Sequence, residues 1–301
     1  MSRWLRRIGY VLGTLVVLIL VLSGFAFVRS SGMMTRKYDI AVSPITVTND
    51  SATLARGAHL VTVIGKCTDC HTNEMAGKVF IDDPGLGLII APNLTRGKGG
   101  VGDSLTDERM AHAIRHGIKH DNTSALIMPS DDYQFFTDDD VAAVVAYVRS
   151  LPPVDRVLPK SQLRVVGRAL SAAGQLPIFI AENVDHKRPH IKSIVQDTSL
   201  AYGSYLGNVG GCTGCHGPGL SGGKIPGTPP EWPAAANLTP TGISKYTDAQ
   251  IEGILRTGKR PDGTSVNEVM PWKYTTNMTN DEIIANIKFL RSVPAKPFGG
   301  R

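Results

Sequence analysis

Cysteine is scarce in this chain: four in 301 residues. They fall in two close pairs, Cys67 with Cys70 and Cys212 with Cys215, and none is left over for a structural disulfide. Aromatic residues are also few, at 6%, which excludes a core built mainly from large rings. No long basic run and no nucleic-acid-binding motif occurs, so a nucleic-acid function is excluded. What is plentiful is glycine (32) and proline (19), beside a hydrophobic content of 42% that is enough for cores. The length leaves room for two domains of ordinary size. Loop-rich domains with few aromatic rings suit a large apolar cofactor that fills part of the core itself.

The cysteines supply that cofactor. Cys67-Thr68-Asp69-Cys70-His71 and Cys212-Thr213-Gly214-Cys215-His216 both read C-x-x-C-H, the attachment motif of c-type haem. Two thiols three positions apart can each form a thioether to one vinyl group of the haem, and the histidine that follows can bind the iron from one side. A zinc site sharing all four cysteines would need segments 145 residues apart to converge, and would leave both histidines unexplained. Two covalently attached haems c, each with iron, are therefore expected.

The motifs belong to a longer repeat. Asp50-Ser51 opens a helix over Ala52–Val63, and Asp197-Thr198 opens one leading to Cys212. Asn93-Leu94-Thr95 recurs as Asn237-Leu238-Thr239. Leu105-Thr106-Asp107, with a helix to Arg115 and Gly117, recurs as Tyr246-Thr247-Asp248, with a helix to Arg256 and Gly258. Met128-Pro129 recurs as Met270-Pro271. The last helix, Asp139–Ser150 capped by Thr137-Asp138, recurs behind Thr279-Asn280. Offsets stay between 141 and 147 residues, the mark of a tandem duplication. Units at 50–154 and 197–301 follow, joined by a connector at 155–196. Within the connector, Leu163, Val166 and Leu170 fall at helical spacing, which predicts a short helix from Ser161 to Ala173. Its expected role is packing between the two units rather than lying on a membrane surface, because its apolar pattern is mixed.

A histidine-ligated haem needs a ligand or an open position on its other face. Met128 and Met270 occupy the same place in both repeats, each just before a proline and shortly before the last helix. Met75, Met110 and Met278 have no methionine counterpart in the other unit. Met128 and Met270 are the expected sixth ligands, an arrangement that makes an electron carrier and raises the potential. The recurring Asn93 and Asn237, with their threonines, are expected to bond the haem edge or propionates. His59, His112, His116, His120, His186 and His190 do not recur and read as surface or ordinary polar positions.

At the N-terminus Arg3, Arg6 and Arg7 precede an uncharged run, Ile8–Val28, rich in Leu, Val and Ile. Its 21 residues suit a bilayer-spanning helix better than the shorter core of a cleavable leader. Residues 1–28 then form an anchor, 29–49 a polar tether, the basic flank lies in the cytoplasm, and the haem units lie on the extracytoplasmic, periplasmic side of a bacterial membrane. Charge is uneven: residues 51–152 carry nine basic and 13 acidic side chains, residues 153–196 seven and three. An acidic first unit can help select a basic partner by steering.

These motifs resemble class I cytochrome c domains in tandem. Gly57 and Gly203 in the first helices, with Tyr147 and Phe289 in the last, look like that family's crossing of its terminal helices. The resemblance implies an all-α fold around each haem. Ala91-Pro92-Asn93-Leu94-Thr95 and Arg149-Ser150-Leu151-Pro152-Pro153 are similar to the cytochrome subunits of membrane-bound alcohol and gluconate dehydrogenases, which carry three such domains. The N-terminal span instead resembles that of membrane-tethered dihaem cytochromes serving oxidases and other respiratory or photosynthetic complexes. The implied function is a non-enzymatic relay of single electrons between protein donors and acceptors, either free or within an oxidase, dehydrogenase or reaction-centre complex. The alternative is a dihaem peroxidase with one exchangeable haem ligand.

Overall fold

The computed structural model describes residues 3–300. Helix α1, Arg3–Thr35, carries the apolar run with its side chains exposed, and by length and composition can cross a membrane. It does not stop at Val28. It continues for about two more turns because Ser30 is fully buried and Met33 and Met34 pack against a cluster of Ile89, Leu163, Ile178 and Phe179. The expected tether is therefore partly helix. The rest is laid along the first unit, where the Tyr38 amide donates to Asn122 O at 2.9 Å, and Ile45 and Val47 pack on the main core.

In the first unit, the Asp50 carboxylate accepts from the Thr53 amide at 2.9 Å and caps α2, Ser51–His59. The helix widens into a π-helical turn, Leu60–Ile64, before the short α3, Thr68–His71. Strands β1 (Lys78–Asp83) and β2 (Gly87–Ala91) follow as an antiparallel hairpin, with Lys78 opposite Ala91 and an irregularity between Val79 and Ile81. Helix α4 (Asp107–His116) is capped by Thr106 and closed by Gly117 in the left-handed region (φ 63°). Helices α5 (Ser130–Tyr133) and α6 (Asp138–Ser150), the latter capped by Thr137, complete the unit.

The fold is thus mostly helical, as expected, with one small three-stranded sheet beside the helices. Its third strand, β3 (Gln162–Leu163), comes from the connector and pairs antiparallel with β2. After it comes α7, Val165–Ala172, shorter than the predicted Ser161–Ala173 because the first residues pair as strand instead. Helix α7 does not pack between the units as expected but against α1 and beside β2 and β3. Other parts of the connector run along the first unit: Ile127 N donates to Ile178 O, and the amides of Asp138 and Asp139 donate to Ile191 O and Lys192 O.

The second unit repeats the plan with α8 (Leu200–Val209), α9 (Cys212–His216), α10 (Pro240–Ile243), α11 (Asp248–Thr257), α12 (Trp272–Thr275) and α13 (Asn280–Ser292). In both units the first and last helices cross at a glycine. A Cβ at Gly57 would lie 2.0 Å from Ala143 O, and one at Gly203 would lie 2.0 Å from Ala285 O, so any side chain would force the helices apart. One continuous buried cluster joins the units, running from Leu60, Val61 and Val145 to Tyr202, Leu206 and Ile283.

Candidate haem sites

Each attachment motif sits on one tight helical turn, entered through a left-handed residue. Lys66 (φ 53°) precedes Cys67, and Gly211 (φ 72°) precedes Cys212. That conformation is costly for lysine, and its side chain is secured: Lys66 Nζ donates to Ile64 O at 3.2 Å and, across the units, to Gly210 O at 2.5 Å. Burial pushes the Cys67 and Cys70 thiols up to about 11, so these two stand as neutral thiols before attachment.

The two histidines are held identically. His71 Nδ1 lies 3.0 Å from Pro92 O, and His216 Nδ1 lies 2.7 Å from Ala236 O. A carbonyl only accepts, so Nδ1 carries the proton and the lone pair falls on Nε2, the tautomer that ligates a metal. Burial lowers the His71 pKa and keeps it in that neutral form. Two thiols spaced for thioethers, an oriented imidazole after them, and the same geometry in both units fit a covalent haem at each.

The methionines separate by comparison of the repeats. Met75 is fully buried with φ 55°, and its counterpart is Leu220, 2% exposed with φ 56°. Met110 matches Ile251 and Met278 matches Phe136, all buried. These three methionines do a job that hydrocarbon side chains do equally well. Met128 and Met270 alone match each other. Both are half-buried, and both carbonyls accept from the amide two residues on at 2.8 Å, with the intervening prolines at φ −79°. Met128 packs on the same core as Cys67.

The asparagines do something other than expected. Asn93 Nδ2 donates to Val154 O at 2.8 Å, while its Oδ1 accepts from the Thr95 amide and hydroxyl at 2.9 and 2.8 Å. Asn237 repeats this with Lys296 O and Thr239. Both amides clamp the segment after the last helix onto the loop beyond the histidine, so their hydrogen-bonding groups are engaged by protein rather than turned to a haem.

Two further sets of residues were not foreseen. The first lies between the units. Arg56 makes a bidentate pair with Asp140 (2.9 and 2.7 Å) and reaches Tyr202 OH at 3.3 Å. Glu282 accepts from Tyr202 OH at 3.1 Å and lies 2.9 Å from His59 Nε2, while Tyr205 OH donates to Asp140. Both attachment turns border this interface. Asp132 of the first unit lies against the turn at Gly211 and Gly214 and faces Thr213, and Tyr274 of the second faces Thr68. Burial, reinforced by Asp131 and opposed by Lys66, raises Asp132 to about 7. The second set is a histidine cluster under the connector. His112 and His116, expected at the surface, are 4% and 6% exposed, and His116 Nδ1 lies 3.1 Å from His186 Nδ1. The signal available for the first set was the acid at matching places in the two last helices, Asp140 and Glu282.

Family models match the two units separately. Residues 52–148 match cytochrome c oxidase, cbb3-type, subunit III, and residues 201–294 match cytochrome c. The chain carries two cytochrome c domains. They imply two covalently bound c-type haems, which Cys67, Cys70 and His71 in the first domain and Cys212, Cys215 and His216 in the second would hold. Among known proteins, this dihaem cytochrome is 30% identical over 82% of its length to the fructose dehydrogenase cytochrome subunit of Gluconobacter japonicus. It is 28% identical over 83% of its length to the cytochrome c subunit of alcohol dehydrogenase (quinone) of Gluconobacter oxydans. A gluconate 2-dehydrogenase cytochrome c subunit of Pantoea cypripedii is 27% identical over 82%. These matches cover 54%, 56% and 61% of the relatives, so the chain spans little more than half their length.

Proposed function

We propose that this chain is the electron-transfer subunit of a membrane-bound dehydrogenase, anchored by α1 with its haem domains on the periplasmic side. The observation that carries the reading is the approach of both attachment turns to one interface, where Lys66, Asp132 and Tyr274 tie each turn to the opposite domain. A bound haem supplies one-electron chemistry between ferric and ferrous iron. The chain's part is to fix the imidazole tautomer through Pro92 O and Ala236 O, and to close the opposite face with Met128 and Met270 as sixth ligands. A closed iron exchanges electrons and binds no substrate, which disfavours a peroxidase. The domains are taken as residues 50–154 and 197–301. The dehydrogenase as partner, ahead of an oxidase or reaction centre, is supported by the names of the relatives.

The test is affinity isolation of the full-length haem-loaded chain from its native membrane, followed by addition of alcohols, sugars or sugar acids as reductants. A copurifying dehydrogenase whose substrate reduces both haems is the expected result. A chain that purifies alone, with haems no such substrate reduces, would overturn the partnership.

A further inference from the structure

The helix of the connector turns its apolar residues outward. On α7 the exposed positions are Val165, Val166, Ala169 and Ala173 at its end, all apolar, with Val165 78% and Val166 48% exposed. Gly167 and Ser171 are the buried ones. For a helix facing water this is the reverse of the usual arrangement. Its position gives the reason. Arg168 stacks its guanidinium over the Phe27 ring at 4.5 Å and donates to the hydroxyls of Ser30 and Ser31 at 3.0 Å each. Phe27 is the last residue but one of the uncharged run Ile8–Val28. That run is about 30 Å long as a helix, the thickness of a bilayer's hydrocarbon core. Helix α7 is thereby pinned to α1 at the level where hydrocarbon gives way to headgroups.

Charge agrees with this placement. Arg29 lies exposed beside Ser30, Lys160 is exposed shortly before β3, and the connector as a whole carries seven basic and three acidic residues over 153–196. An apolar strip flanked by cations, at the end of a membrane helix, is the pattern of an interfacial segment.

We infer that α7 is a second membrane contact, seated in the headgroup–acyl boundary beside α1, with lipid as the occupant of its Val165–Val166–Ala169 face. The inference rests on α1 crossing the bilayer. It turns a flexible tether into a two-point mount: α1 holds the first domain, and α7 stops it rotating about α1. The first domain's haem site then keeps a fixed attitude to the membrane, so only partners of matching height and orientation can reach it.

The experiment uses the full-length haem-loaded chain in vesicles of phosphatidylcholine and phosphatidylglycerol, labelled with a lipid-soluble carbene-generating probe and mapped by mass spectrometry. Leu200, Trp232 and Ile284, which are 49%, 41% and 42% exposed, are the controls, being apolar and accessible but remote from α1. The expected result is adducts on Val165, Val166 and Ala169 at the level of α1, with the controls unlabelled. Adducts on α1 with α7 no higher than the controls would overturn the inference while leaving the anchor intact. Adducts on neither would show that the anchor reading itself has failed, and the inference with it.

Discussion

Arg56 joins side chains of both domains, and Arg56→Met is the most informative perturbation of the interdomain network. The side chain is 13% exposed, and the carboxylates it faces, Asp140 and Glu282, are 6% and 3% exposed. Methionine keeps the stem and removes the guanidinium, stranding both carboxylates with only tyrosine hydroxyls, helix amides and His59. Removing one partner of a buried ion pair costs about 3–5 kcal/mol, far more than an exposed pair is worth. The loss has a pH signature. Burial alone would raise Glu282, but the bonds from His59, the Thr279 amide and Tyr202 outweigh it, so its pKa is lowered in the folded protein. A depressed carboxylate contributes stability above its unfolded pKa, and that stability is lost as pH falls through the folded value. With Arg56 gone the carboxylates protonate more readily, so the variant's deficit is largest near neutrality and shrinks in acid. The assay is urea unfolding of the holoprotein in detergent, followed by far-UV dichroism and by the haem bands, at neutral and at acid pH. A midpoint unchanged at neutral pH, or a deficit that grows in acid, would refute the account of this interface.

Two other outcomes are expected. Reduced wild-type protein binds no carbon monoxide, whereas Met128→Ala and Met270→Ala each gain one carbon monoxide-binding haem with a lowered potential; Met75→Ala stays closed but loses about 2–5 kcal/mol of stability as a core truncation. A wild-type protein that binds the gas, or an alanine variant at 128 or 270 that does not, would remove those ligand assignments. The buried histidines set a second pH dependence. Burial first, then neighbouring Arg109 and His186, lowers His112 from 6.5 to about 4, and burial with the surrounding histidines and Arg115 lowers His116 to about 3. The unfolded chain takes up these protons first, so their packing is fully favourable above about 6.5 and weakens as pH falls towards 4. Hydrogen exchange of residues 178–190 should accelerate over that range, and a flat profile would contradict it.

Much of this was legible because the chain states it twice. A motif repeated at a constant offset carries its own control: Met128 is distinguished from Met75 by what stands 142 or 145 residues later, Met270 in one case and Leu220 in the other. Caps at Thr106, Thr137, Thr247 and Thr279 were readable because each precedes an acidic first turn, and each accepts from the amide three residues on. Most of what failed lay in features that do not repeat. The hairpin of β1 and β2 has only the isolated bridge Gly223–Ala235 in its place in the second domain. Its local signal was present, in Val79-Phe80-Ile81 and Leu88-Ile89-Ile90 around a turn where Asp83 accepts from the amides of Gly85 and Leu86 at 2.8 and 2.6 Å. The buried histidines were missed for a different reason. His112 and His116 belong to a helix whose counterpart in the second domain stays half-open, and only the connector, absent from the repeat, covers them. The asparagines recur, so their importance was readable, but a side-chain amide bonds a backbone carbonyl as well as a propionate, and sequence does not distinguish the two.

The same duplication explains the form of the interface. Arg56 and Tyr202 are equivalent positions, as are His59 and Tyr205, Asp140 and Glu282, Asp132 and Tyr274, and Thr68 and Thr213. The contacts cross over: the first helix of the first domain meets Glu282, and the first helix of the second meets Asp140. Asp132 meets the turn holding Thr213, and Tyr274 the turn holding Thr68. This is the reciprocity of a two-fold dimer, in which residue i meets j and j meets i. In a true dimer both copies of each side chain are the same, and an arginine at the first-helix position would bring two cations to the axis with two acids. Joined in one chain, the halves are free to differ. Acids stand on both sides, one arginine serves them together, and a neutral tyrosine, Tyr202, stands at the position equivalent to it. The outcome is an asymmetric centre in a symmetric frame. The two attachment turns, alike in local geometry, therefore face different neighbours, a buried carboxyl at Asp132 on one side and the Tyr274 phenol on the other. A half-ionised carboxyl beside one turn and a phenol beside the other would weight oxidised and reduced iron differently at the two sites, so the frame that makes them alike also gives the chain a means to set them apart.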